Sequence, residues 1–147
     1  MDITPRISAQ DYIALKARKG NKYGAQSQVT PGGIKCDSMA EAALGLELEI
    51  RVKAGELAEL HHHEGIEILP GFLWRVDFSA INAATGLREY FEFKGVEGHG
   101  YRLQIAAWKH LGPGILHIYK GSHLGYSLAK TVTPDLQLFK DWLAVSR

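Results

Sequence analysis

Cysteine is nearly absent from this chain of 147 residues, with Cys36 the only one. A lone thiol makes no internal disulfide and holds no zinc by itself, which excludes disulfide-stapled scaffolds and cysteine-based metal modules and agrees with a reducing compartment. Surplus charge is absent too: 17 Lys and Arg face 16 Asp and Glu, a net of +1, so overall charge singles out no partner. No apolar run approaches the ~20 residues that cross a bilayer, and residues 1–11 lack the basic-then-apolar order of a signal peptide. The expectation is a cytoplasmic protein with no membrane contact. Hydrophobic residues at 46% and charged residues at 22% fit a folded globular chain, neither disordered nor fibrous. The length gives one domain with a real core and excludes a two-domain enzyme.

What the chain has is charge sorted by segment. Residues 1–36 carry six Lys and Arg against two Asp and Glu, residues 37–97 five against twelve, and residues 98–147 six against two. Such an acidic middle between basic ends reads either as ordinary solvated faces or as a cation-binding centre flanked by arms that meet an anionic polymer.

Ser8-Ala9-Gln10-Asp11 ahead of Tyr12, Ile13 and Leu15 predicts a capped, basic N-terminal helix that stops near Gly20. The polar, Gly-rich residues 21–33 are a loop or hairpin arm. Ser38 opens the clearest helix, residues 39 to about 54, with Ala42, Ala43, Leu46 and Ile50 at helical spacing and Gly55 as its stop. A strand follows at residues 66–69. Trp74, Val76 and Phe78 then alternate with Arg75, Asp77 and Ser79, a period of two that predicts a strand with one apolar face. Residues 87–94 repeat the pattern with Phe91 and Phe93 on one face, and the connection at 82–86 carries Gly86, free to take positive φ. A symmetric hairpin pairs Val76 with Phe93 and Phe78 with Phe91, and sets Asp77 across from Glu92 and Arg75 across from Lys94.

An amphipathic helix at residues 101–111 and a strand at 115–119 come next, and Thr133-Pro134-Asp135 opens a final helix that ends near Val145. The expected architecture is one mixed α/β domain: a basic helix and arm over 1–36, a core over 37–120 and a C-terminal helix over 121–147.

Two carboxylates directly opposed on neighbouring strands repel each other unless positive charge lies between them. Arg75 and Lys94 could supply it as a salt-bridge lattice. The other reading is a hard divalent cation held by Asp77 and Glu92, with Lys94 on the same face to position or help deprotonate a water during phosphodiester hydrolysis.

Val76-Asp77-Phe78 followed by Glu92-Phe93-Lys94 resembles the signature of the PD-(D/E)XK nuclease superfamily: an acidic residue on one strand, then Glu-x-Lys on its neighbour. Around it stand Lys22-Tyr23-Gly24, the run Gly33-Ile34-Lys35-Cys36-Asp37-Ser38 with Ala40-Glu41-Ala42, Lys53-Ala54-Gly55-Glu56, and Leu69-Pro70-Gly71-Phe72. Together, over residues 21–120, they are similar to small phage and prophage endonucleases of the Holliday-junction-resolvase-like type. The resemblance implies a restriction-endonuclease-like core, a central mixed sheet of four to five strands flanked by helices. It implies Mg²⁺ or Mn²⁺ held by Glu41, Asp77, Glu92 and the Phe93 carbonyl, with Lys94 catalytic, and a homodimer acting on branched or junction DNA in a bacterial host cell. Lys19, Lys22, Lys35, His99, Tyr101, Arg102, Gln104 and Lys109 are the candidate DNA contacts.

Other readings stay open for the same residues. Ser38-Met39-Ala40-Glu41 is also a capping box, which explains Glu41 without chemistry. Gln104 and Trp108 share a helical face, where Trp108 fits core packing. His61 and His63 share a strand face and are either a surface cluster or a transition-metal site. The whole domain could also be a catalytically inactive nucleic-acid-binding phage accessory protein that keeps the nuclease fold.

Overall fold

The computed structural model describes residues 27–135 together with Val145. The expected basic helix near residues 8–20, Lys19 and Lys22, and nearly all of the expected C-terminal helix lie outside the described residues.

Two short strands, β1 (Gln28–Val29) and β2 (Lys35–Cys36), pair as an antiparallel hairpin ahead of α1 (Met39–Lys53). Then follow β3 (Leu57–Leu69), β4 (Phe72–Asn82), β5 (Arg88–Phe93), α2 (Tyr101–Leu111), β6 (Leu116–Ser122) and β7 (Gly125–Val132). The five long strands make one mixed sheet in the order β3-β4-β5-β6-β7. Only β5 and β6 are parallel, because α2 crosses over between them. The chain is thus α/β with a five-stranded mixed central sheet, and no helix among the described residues is long and apolar enough to cross a membrane.

α1 starts where the sequence puts it, with the Ser38 hydroxyl accepting the Glu41 N–H at 3.0 Å, and ends where Gly55 takes φ +78°. Its Leu44 and Leu48 are fully buried against Cys36, Phe78, Ala80 and Phe91 on one sheet face. On the other face, Ile105 and Trp108 of α2 pack with Trp74, Val76, Tyr90, Leu116 and Ile118. Trp108 is fully buried and its indole N–H donates to the Gly114 carbonyl at 2.8 Å, so it is a core residue. Adjacent Tyr90 and Phe91 serve opposite cores, as the pleat requires.

Gly45 sets how closely α1 approaches the sheet. A Cβ there would stand 2.9 Å from Phe78 Cζ and 3.0 Å from Thr30 Cγ2. Alanine in place of a helical glycine ordinarily stabilises by up to ~1 kcal/mol, but forcing a methyl into a packed core costs about 1–3 kcal/mol. The Phe78 ring is fully buried and has nowhere to go, so Gly45→Ala is expected to lower the thermal midpoint, read by circular dichroism.

Three expectations are corrected. The strand at 66–69 is the end of a much longer β3, and the His61-His62-His63 run lies inside it. Its alternation is masked by a register shift between Ala58 and His61, with Glu59 at φ +50°, and by His63 at φ +52°. Second, Trp74, Val76 and Phe78 do not share a face. Trp74 and Val76 join the α2 core while Phe78 and Ala80 join the α1 core, so the phase of β4 slips at Asp77. The slip faces His63: pairs His62↔Phe78 and Glu64↔Val76 bracket it on both strands. Third, residues 125–132 are strand, not helix; β7 pairs antiparallel with β6 through a tight turn at Ser122–Gly125 and gives the sheet an edge. By contrast, the β4–β5 register is the expected one, with Phe78 opposite Phe91 and Gly86 at φ +71° in the connection.

Candidate active site at a strand fork

Ladder pairing between β4 and β5 runs from Ile81↔Arg88 to Phe78↔Phe91 and then stops. Beyond that point β4 stays with β3, and β5 stays with β6 through Phe93↔Tyr119. The two central strands part into a fork. Parting strands would orphan backbone N–H groups, which folded proteins rarely leave unpaired. Two carboxylates take them: Glu92 Oε2 accepts the Asp77 N–H at 3.1 Å, and Asp77 Oδ2 accepts the Phe93 N–H at 2.7 Å. The predicted opposition of Asp77 and Glu92 is therefore realised as a crossed exchange of side chain for backbone at the mouth of the fork.

Each carboxylate gains a charge-assisted hydrogen bond, yet both remain hard to ionise. Loss of solvent, followed by the charges of Glu92 and Glu41, holds Asp77 well above the usual carboxylate range, and the Phe93 N–H and Lys94 only partly oppose this. Burial pushes Glu92 up to about 7 despite the Asp77 N–H, the Lys94 charge and a Trp74 hydrogen bond, and Glu41 adds to the rise. The expected Arg75–Lys94 lattice does not form. Arg75 is exposed and sits opposite Gly65 of β3, while Lys94 Nζ lies over the Tyr101 ring, 5.1 Å from its centroid. Among the described residues no Lys or Arg comes within ion-pair distance of Asp77 or Glu92.

Glu41 enters from the first turn of α1 and is buried. Its capping box is half formed: Ser38 caps the helix, but Glu41 Oε2 reaches back to the Asp37 N–H at 2.9 Å. Oε1 accepts from His62 Nε2 at 2.8 Å and His63 Nε2 at 2.7 Å. The start of α1 thus faces the fork, since Glu41 acts electrostatically on both Asp77 and Glu92. The ligand atoms of Glu41, Asp77 and Glu92 do not gather within 4.8 Å of one another. Among the described residues the sets that do are Cys36, Glu41 and His62, and Asp37, Glu41 and His63. Cys36 is buried in the same region; desolvation, then the charges of Glu41, Asp77 and Asp37, push its thiol up to about 12.

The histidine expectation changes partners. His62 and His63, not His61 and His63, turn to the same side, with rings stacked at 3.7 Å, while His61 lies 3.8 Å from Glu64. Positive φ at His63 is the cause, and no spacing rule reveals it.

The Phe93 N–H, not its carbonyl, is the group seen against Asp77. Of the candidate DNA contacts, Lys35, His99, Arg102 and Lys109 are exposed, and Tyr101 and Gln104 are partly buried at the start of α2. Sequence reasoning passed over Lys120 and Lys130, whose charges, with that of Arg102, act on Glu97; Lys120 also pairs with it directly. They lie on neighbouring strands of the β6–β7 hairpin, with Ser127 and Ile118 as partners, so that hairpin collects them. No protein-family model, curated protein or solved structure matches this chain.

Proposed function

We propose that the protein is a divalent-cation-dependent endodeoxyribonuclease with a restriction-endonuclease-like, PD-(D/E)XK core, acting on branched or junction DNA. One observation carries this reading: Asp77 and Glu92, from neighbouring strands, are turned into a fork where no Lys or Arg among the described residues forms an ion pair with them, with Lys94 one residue past Phe93. Like charges brought together out of water call for a positive partner. Carboxylate oxygens are what Mg²⁺ and Mn²⁺ take, so Asp77 and Glu92 suit such an ion as principal ligands, while Glu41, turned to His62 and His63, adds its charge to the fork from the α1 side.

The ion would supply Lewis-acid polarisation of the phosphodiester. The chain's own groups do the rest. Backbone N–H groups of Asp77 and Phe93 hold the two carboxylates rigidly, so little reorganisation is left for the reaction. Tyr101 keeps the Lys94 ammonium beside the site instead of collapsed onto either carboxylate, leaving its protons free to orient the attacking water and offset charge on the phosphoryl oxygens. In-line displacement gives a 5′-phosphate and a 3′-hydroxyl. Exposed Arg102, Lys109, Lys120 and Lys130 offer cations to the DNA backbone. Two incisions at one junction require two sites, so the reading includes a homodimer.

A labelled four-way junction, a flap and a linear duplex are incubated with the full chain in Mg²⁺, Mn²⁺ or EDTA. The expected result is cation-dependent incision of the junction, reduced by about 10²–10⁴-fold in Lys94→Ala. DNA binding with no incision, or incision indifferent to Lys94→Ala, overturns the assignment; the first outcome identifies an inactive nucleic-acid-binding protein.

A further inference from the structure

We propose that Arg102, Lys120 and Lys130 form a binding site for a backbone phosphate of the DNA strand entering the fork, and that Glu97 fills this site in the free protein until the phosphate displaces it. The inference rests on the nucleic-acid part of the reading above; it adds where one contact is made and which group competes for it.

Acidic side chains stop at Glu97. Residues 98–134 hold no Asp or Glu but four Lys or Arg and four His, and they build α2, β6 and β7. That stretch brings cations without a carboxylate of its own to balance them, and Glu97, on the loop just before α2, supplies the missing charge. Lys120 donates to Glu97 Oε1. This hydrogen bond, with the charges of Lys120, Arg102 and Lys130, holds the Glu97 carboxyl below its usual range. An isolated surface ion pair needs one cation. Here Arg102 comes from α2, Lys120 from β6 and Lys130 from β7. A carboxylate set among cations from separate elements stands where a phosphate, with more acceptor oxygens, would bind.

The site lies beside the fork. Parallel pairing sets Tyr119 level with Phe93, and the Lys94 N–H donates to the Tyr119 carbonyl at 2.9 Å, so Lys120 follows next to the strand end that carries Lys94. Tyr101, whose ring lies against the Lys94 ammonium, is also acted on by the charges of Lys120, Glu97 and Glu92. One aromatic residue thus joins the cation cluster to the carboxylate pair, and a strand held at the cluster is led past Tyr101 to the fork.

Glu97 is free to leave. Gly95 and Gly98 flank Val96-Glu97, and a Cβ at either glycine would meet nothing within 4 Å. Backbone bonds tie the loop at its two ends, where Lys94 meets Tyr119 and the Tyr101 N–H donates to the Gly98 carbonyl at 3.3 Å. Both members of the ion pair are half exposed, so a phosphate reaches Lys120 without unpacking the core.

The test is fluorescence anisotropy of a labelled four-way junction titrated with the full chain in EDTA, at salt from about 50 to 200 mM. Glu97→Gln is expected to bind at least about threefold more tightly than wild type at the low end, with the gain shrinking as salt rises. Lys120→Gln should bind more weakly and with a salt slope shallower by about one. The gain from Glu97→Gln should vanish in the Lys120→Gln background, because the two side chains act as one unit. Glu56→Gln strips the same charge from the Arg51 pair beyond the far end of α1 and should leave affinity unchanged. All these side chains are exposed, so the variants keep the fold. An affinity of Glu97→Gln equal to wild type, an equal gain in Glu56→Gln, a gain that survives Lys120→Gln, or no DNA bound by wild type and Glu97→Gln alike overturns the site. Absence of incision with these binding effects intact would sink only the nuclease reading, and incision with no effect of Glu97→Gln would sink only this one.

Discussion

Asp77→Asn is expected to melt at a higher temperature than wild type at about pH 8 and, on the proposed nuclease reading, to lose DNA incision. Asparagine keeps an oxygen where Asp77 Oδ2 accepts the Phe93 N–H at 2.7 Å, so the fork keeps its shape. What disappears is a carboxyl that burial and the charges of Glu92 and Glu41 make costly to ionise. Each 1 kcal/mol recovered raises the midpoint by roughly 3–5 °C in a domain of this size. The charge lost is also one that a divalent cation would use, worth several kcal/mol of transition-state stabilisation, so incision falls about thousandfold or more. Opposite signs in stability and activity mark a site under functional strain. Calorimetry and the junction assay run on one preparation measure both, and a variant that melts lower while cutting normally would show that the pair is merely structural.

Without a divalent cation, the wild type is expected to lose stability as pH rises from about 4.5 to about 7, with a midpoint that recovers on adding Mg²⁺ or Mn²⁺ only toward the upper end. The sign follows from the direction of the shifts. Burial raises Glu92 from 4.5 to about 7 and lifts Asp77 well above its ordinary value. Between the unfolded and folded values the native state holds protons that the unfolded chain has released, so deprotonation favours unfolding. The contribution is fully present below the unfolded value and lost through the folded one. For Glu92 alone the loss by about pH 8 is on the order of 3 kcal/mol. A cation at about 100 times its dissociation constant returns about 2.7 kcal/mol, and only to ionised carboxylates. Differential scanning fluorimetry across pH, in EDTA and in Mg²⁺, reads both effects, with Glu92→Gln expected to flatten the EDTA profile. A profile already flat in the wild type, or one that Mg²⁺ shifts equally at acid and neutral pH, would contradict the cation-binding fork.

Local rules carried much of the fold. Ser38 and Gly55 bound α1, and amphipathic patterning over residues 101–111 marks α2; caps and helical periodicity depend only on nearby residues. The β4–β5 register followed from a short symmetric connection. Glu59 and His63 interrupt the alternation of the long β3 with positive φ and so hide its first part, while residues 125–132 carry no strong period on an exposed edge and so hide β7. Arg75 sits opposite Gly65 and not Lys94 because the β4–β5 ladder ends midway, which pairing arithmetic does not foresee.

The amino-acid order alone brought Asp77 opposite Glu92 and put Lys94 two positions beyond Glu92, because hairpin pairing and two-residue periodicity are local. Tertiary structure decided the rest. Parting of β4 from β5 turned a repulsive pair into a crossed, buried exchange with the backbone. Packing of α1 across the sheet delivered Glu41 to the histidines, and a left-handed turn at His63 chose which two of three imidazoles would meet it. Those outcomes depend on contacts between residues about twenty positions apart and on burial, and neither is written in any short stretch of chain.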